Sequence, residues 1–181
     1  MQASFKCACL IAQEEAIVTV PYPDGPHFSI GTGHNDPKLT PSTPPITVEQ
    51  ALALLAADLI RRENDVTAAL KAPLTQPQFD AIIDAYYNKE HAILPVIALI
   101  NQGNVSEAMA LLLTLTRNSK GIWLEGLAKR RLREVALFLH GDYGDLSTVK
   151  VFRAYPFVAS PDIVPMPPML ASTVAAPTFG D

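Results

Sequence analysis

The chain has 181 residues, 49% of them hydrophobic and 18% charged, with a mean hydropathy of +0.17 and a formal net charge of −4. This balance excludes a disordered, highly solvated polypeptide, and the length accommodates one compact domain. The acidic balance also argues against nucleic acid as a partner: the single basic cluster, Lys129, Arg130, Arg131 and Arg133, lies in a helical pattern and reads as a solvated helix face.

In chain order, residues 4–15 predict a short helix with Phe5, Leu10 and Ile11 available for burial. Its apolar stretch Cys7–Ala12 is too short for a signal peptide and runs into Gln13, Glu14 and Glu15, so no signal peptide is recognised. Cys7 and Cys9 are too close to staple distant segments and are expected as buried free thiols. Ile17–Val20 and Phe28–Ile30 are β-prone runs separated by the turn chemistry of Pro21–Pro26, which predicts a small antiparallel sheet. A proline-rich loop follows over residues 35–46.

Helix signals then come in series. Thr47 with Gln50, Thr75 with Gln78 and Asn104 with Glu107 have capping-box spacing. They predict helices over about residues 48–71, from 76 through Tyr87, and from 105 through Leu115. A last helix, about Leu124–His140, ends at Gly141 in the cap position. No window reaches the ~18 apolar residues of a membrane span. Of the 16 prolines, seven fall in residues 1–45, three in 46–145 and six in 146–181. Helical periodicity stops after Asp145, yet the last segment carries Phe152, Tyr155, Phe157, Ile163, Met169, Leu170 and Phe179. An arm this apolar and this unsuited to helix is expected to lie in a groove, on this domain or on a partner.

The stretch that carries chemistry is Glu15 to His34. One carboxylate closes a predicted helix, an unfavourable place for negative charge, and a second follows nine residues later in a turn, with a hydroxyl five residues further on. Two carboxylates in different environments are what glycoside hydrolysis requires: one protonated to donate to the leaving oxygen, one ionised to direct water or stabilise positive charge. Glu and Asp at this spacing are common by chance, so the pattern alone leaves the chemistry open. His27, His91 and His140 lack metal-ligand spacing, and no metal site is proposed.

The segment resembles the active-site signature of the phage-type lysozymes, the endolysin muramidases of tailed bacteriophages: Glu, eight residues, Asp, about five residues and Thr, running into Ile-Gly-x-Gly-His. Glu15, Asp24, Tyr22 and Ile30-Gly31-Thr32-Gly33-His34 keep this pattern. Leu74–Ala81 with Tyr87-Asn88, Asn101–Asn104, Gly126–Glu134 and Leu137–Tyr143 are similar to later family motifs in the same order, so the resemblance covers roughly residues 8–145. Three departures stand out. Ala16 replaces the usual Gly, a minor change by its size; four residues rather than five separate Asp24 from the hydroxyl; and that hydroxyl is Ser29 instead of Thr. The last two imply reduced activity.

The resemblance implies Glu15 as general acid, with Glu14 its rival; Asp24 as water-directing base or charge stabiliser; and Ser29 as water-positioning hydroxyl. Tyr22, Phe28 and Asn88 are candidates for lining the sugar cleft, with core packing or a helix cap as the other reading of each. His34 is expected to be structural, in a buried ion pair or hydrogen bond. Arg130, Arg131 and Arg133 are expected to brace the closing helix against carboxylates.

The implied fold is α+β and lysozyme-like: a small N-terminal β-sheet lobe and a larger α-helical lobe with a cleft between them. Residues 1–145 form the catalytic domain and 146–181 a Pro-rich apolar C-terminal arm. The expected function is an endolysin that hydrolyses the β-1,4 bond between N-acetylmuramic acid and N-acetylglucosamine in peptidoglycan, without a cofactor. It is expected as a monomer held in the host cytoplasm until release to the periplasm or cell wall. The alternative is a virion-associated structural protein with a lysozyme fold, its activity reduced or used for DNA entry and its arm binding other virion subunits.

Overall fold

A computed structural model of the protein describes residues 1–168 and 176–179. Met169 and Leu170 of the arm lie outside the described residues. The chain divides into two compact units, residues 1–7 with 60–144 and residues 8–59 with 145–181; two of the three boundaries fall inside helices.

The second unit holds most of helix α1 (Phe5–Glu15), strands β1 (Ile17–Asp24), β2 (His27–Gly31) and β3 (His34–Asn35), and the first half of α2 (Val48–Ala69). Thr47 and Gln50 cap α2 reciprocally, Thr47 N–H donating to Gln50 Oε1 at 2.9 Å and Gln50 N–H to Thr47 Oγ1 at 3.2 Å. The turn between β1 and β2 is narrower than the run of prolines predicts, because β1 continues through Pro21 and Pro23. Proline is tolerated there because beyond Val18 strand β1 is paired on one side only, with β2, and the other edge needs no N–H donor.

The C-terminal arm contributes to the sheet, and its described end packs as well, Phe179 being buried with its ring 5.9 Å from that of His34. The arm forms strands β4 (Thr148–Phe152) and β5 (Asp162–Pro165), giving a five-stranded sheet of order β3-β2-β1-β4-β5. β4 runs parallel to β1, with Ile17 opposite Val151 and Val18 opposite Phe152, and β5 returns antiparallel to β4. The signal is local: Thr148-Val149-Lys150-Val151 alternates, and Val149 and Val151 are buried while Thr148 and Lys150 are exposed. Leu10, Ile11, Ile17, Ile30, Leu55 and Val151 sit in the core of this unit. Gly31, at φ 68°, packs against α2, where an added Cβ would meet Ala51 Cβ at 3.6 Å.

The first unit is helical: the end of α2, then α3 (Gln76–Lys89), a 3-10 turn (Glu90–Ile93), α4 (Leu94–Asn101), α5 (Val105–Thr114) and α6 (Glu125–His140). Thr75 and Gln78 cap α3 as expected, whereas Asn104 makes no side-chain cap on α5. Helix α4 has no side-chain cap, only Pro95 in its first turn, and escapes the sequence pattern. Gly141 closes α6 at φ 70°. Phe79, Ile82, Ile83, Ile97, Leu112 and Leu137 fill its core.

The basic cluster is not a solvated face. Arg130 and Arg131 are buried, with Arg130 Nη2 2.7 Å from Asp84 Oδ1 and Arg131 Nη2 2.7 Å from Glu134 Oε1. Two guanidiniums are carried inside by two carboxylates, because an unpaired charge there would be prohibitive. Bracing of the closing helix against a carboxylate of another helix is therefore seen for Arg130, whereas the Arg131–Glu134 pair lies within α6. Burial and the neighbouring Asp84 charge push the Glu134 carboxyl well above its usual range. Cys7 and Cys9 are buried free thiols, and burial pushes Cys9 up to about 11.

Candidate active site

Glu15 is the last residue of α1 and is exposed. The chain turns from α1 into β1 at Ala16, which takes the left-handed conformation at φ 62°. This is the position where the phage-type lysozyme pattern has Gly. Its Cβ costs about 1–2 kcal/mol in that region, so the replacement is more than a change of size.

Asp24 closes β1 at the hairpin tip and is exposed, while Ser29 in β2 is fully buried. The Ser29 hydroxyl donates to Asp24 Oδ2 at 2.8 Å, so the shorter segment between them still lets the two side chains meet. Asn35, on β3, was not among the sequence candidates. Its Nδ2 donates to Ser29 Oγ at 3.3 Å and to the Phe28 carbonyl at 3.2 Å. Ser29 thus accepts from one side and donates on the other, which fixes the direction of its proton toward the carboxylate.

Tyr22 lies opposite Ser29 in the β1–β2 register. Burial raises its phenol first, the charges of Asp24 and Glu15 add to that, and the Ser29 hydroxyl acts in the opposite sense. Phe28 is placed differently: it pairs with Pro23, and side chains alternate along a strand, so it faces away from Tyr22 and Ser29. There it lines a groove of about 620 Å³ with Pro21, Pro23, Pro41, Pro45 and Tyr155.

His34 Nδ1 lies 3.0 Å from both carboxylate oxygens of Asp58 on α2. The hydrogen bond to Asp58 raises the imidazole above its ordinary value despite partial burial. Asn88 belongs to the helical unit, where its Oδ1 accepts from Arg131 Nη2 at 3.1 Å. Among the described residues, no three His, Cys, Asp or Glu side chains group as a metal site, and no helix is long and apolar enough to cross a membrane.

The sequence model of the family described as phage lysozyme matches residues 12–134. The endolysin of Bacillus phage B103 is 31% identical over 144 residues, covering 76% of this chain but 54% of its own length. The chain thus spans about half of that curated relative. Among solved structures, an endolysin from Escherichia coli O157:H7 phage FAHEc1 superposes with a TM-score of 0.71 at 29% identity, covering 80% of this chain and 98% of its own. The muramidase domain of SpmX from Asticaccaulis excentricus gives 0.68 at 29% identity, with coverages of 76% and 97%. The family match takes in Glu15, Asp24 and Ser29, and the α+β lysozyme-like fold accompanies it; the chain belongs to the phage lysozyme family.

Proposed function

We propose that this chain is a muramidase that cleaves the β-1,4 bond between N-acetylmuramic acid and N-acetylglucosamine in bacterial peptidoglycan. The observation that carries the reading is the Ser29–Asp24 hydrogen bond at the hairpin, with Tyr22 opposite Ser29 in the register. Glu15 protonates the glycosidic oxygen as the bond to the sugar breaks. Asp24 stabilises the positive charge that grows on the sugar and directs a water, which Ser29 helps to hold. The names of the relatives, endolysin and muramidase, support the same substrate. No cofactor enters this chemistry.

In this reading residues 1–145 form the catalytic domain and 146–181 an accessory arm. The protein is retained in the host cytoplasm, reaches the wall on release, lyses the host and works as a monomer. Clearing of outer-membrane-stripped bacteria tests it. Glu15→Gln is expected to slow clearing by about 10²–10⁴-fold, the usual worth of a general acid. Equal clearing by that variant would reject Glu15 as the acid, and an inert wild-type protein would reject the reaction.

A further inference from the structure

The arm lies outside the stretch matched by the family, yet it touches both elements that carry the candidate catalytic groups. On α1, Gln13 stands two residues before Glu15, and its Nε2 donates to the carbonyls of Asp145 at 2.9 Å and Thr148 at 2.7 Å. On β1, strand β4 pairs in parallel at Ile17 and Val18, and the Thr19 hydroxyl donates to the Phe152 carbonyl at 3.3 Å. Beyond β4 the arm turns back over the hairpin. There the Phe157 ring meets the Tyr22 ring edge-on, with centroids 5.7 Å apart. Phe157 is itself held by Phe152 at 4.9 Å and by Tyr155, perpendicular to it, at 5.2 Å.

This contact gives Tyr22 a lateral ring neighbour. Tyr22 lies on the part of β1 that has strand pairing on one side only, next to a tight turn, and it faces Ser29 across the ladder. A ring without a lateral neighbour would move among rotamers, and the pair beside it would move with it. Phe157 remains 45% exposed, unlike the core ring of Phe79 at 1%, so its removal costs the fold little.

We propose that Phe157 is a positioning residue for the hydrolysis: the arm holds it against Tyr22, and Tyr22 in turn keeps the Ser29–Asp24 pair aligned on the attacking water. The proposal rests on the muramidase reading above. It gives the arm a part in the reaction beyond extending the sheet.

The test compares wild type, Phe157→Ala, Phe157→Tyr and Val158→Ala on purified peptidoglycan, following release of reducing ends. Phe157→Ala is expected to lower kcat by about tenfold, because small misplacements of reacting groups are costly, with KM nearly unchanged. Phe157→Tyr keeps a ring and is expected to restore the rate. Val158→Ala, at a side chain 88% exposed, is expected to behave as wild type. Carbon-13 labelling of tyrosine rings adds a readout free of turnover: in Phe157→Ala the Tyr22 resonance moves, and its titration falls toward the ordinary phenol value as the ring loses cover. A wild-type rate in Phe157→Ala, a loss that Phe157→Tyr does not repair, or an unmoved Tyr22 signal would overturn the proposal. A wild-type protein inert on peptidoglycan overturns the reaction and the proposal together. That result differs from failure of the positioning alone, in which wild type and Phe157→Ala cleave equally fast.

Discussion

The helical unit and the sheet unit handle charge in opposite ways. Asp84, Arg130, Arg131 and Glu134 are almost completely enclosed in the helical unit, at 0–4% exposure, and they face one another. Glu15 and Asp24 in the sheet unit are exposed, one at a helix end and one at a hairpin tip. Charges locked together inside a protein have no way to reach a substrate and act on the fold. Charges displayed at the ends of rigid elements can meet a substrate, and a rigid strand or helix keeps them in place. Residue type and spacing do not separate these groups, since all are Asp, Glu or Arg near helices and turns; only the family resemblance singled out Glu15 and Asp24.

The largest test of this contrast lies in the helical unit. Arg131→Ala leaves Glu134 buried with poorer compensation and is expected to cost about 3–5 kcal/mol of stability, read from urea unfolding. A loss below about 1 kcal/mol, the scale of exposed pairs, would break the contrast. In the sheet unit the corresponding change acts on rate. Ser29→Ala removes a hydrogen bond to a carboxylate and is expected to slow peptidoglycan cleavage by about tenfold, measured on correctly folded protein. An unchanged rate would show that Asp24 works without its partner.

A smaller effect sharpens the account of the turn after Glu15. Ala16→Gly relieves the left-handed strain and is expected to stabilise the protein by about 1 kcal/mol, seen as a higher urea midpoint at constant slope. Destabilisation would mean that the Ala16 methyl contributes more packing than strain.

The smallest effect comes from His34. Its folded-state value is raised by Asp58, so the unfolded imidazole loses its proton first. The stabilisation is complete below the unfolded value near 6.5 and fades as pH rises through the folded one, by below about 1 kcal/mol for a pair this accessible. Asp58→Asn is expected to flatten that part of the stability profile. A profile that does not change would place the pH dependence elsewhere.

Local signals were the legible ones. The capping boxes at Thr47 and Thr75 and the glycine at Gly141 depend on neighbours within a few residues, and all three form. The same logic failed at Asn104, where spacing was right but no cap bond is made. The register of β1 and β2 decided that Tyr22 shares a face with Ser29 and that Phe28 does not, although all three stand within five residues of Asp24 in the sequence. Asn35 and Asp58 offered no signal, because a polar side chain in a loop or on a helix ordinarily faces water and only its partner makes it informative.

By itself the sequence determined where most helices start and stop, that a hairpin presents Asp24, and which carboxylates and hydroxyl resemble a lysozyme signature. Each of these is set by chemistry between near neighbours or by a linear motif. Tertiary structure alone decided the rest. It buried Arg130 and Arg131 between carboxylates, turned Phe28 from Ser29, paired His34 with Asp58 and carried the C-terminal arm onto β1. The arm's strand was written in the alternation of Thr148–Val151, but its partner lies about 130 residues earlier, at Ile17 and Val18. A pairing over that distance is fixed by the shared core and by the open edge of β1, which no local pattern can report.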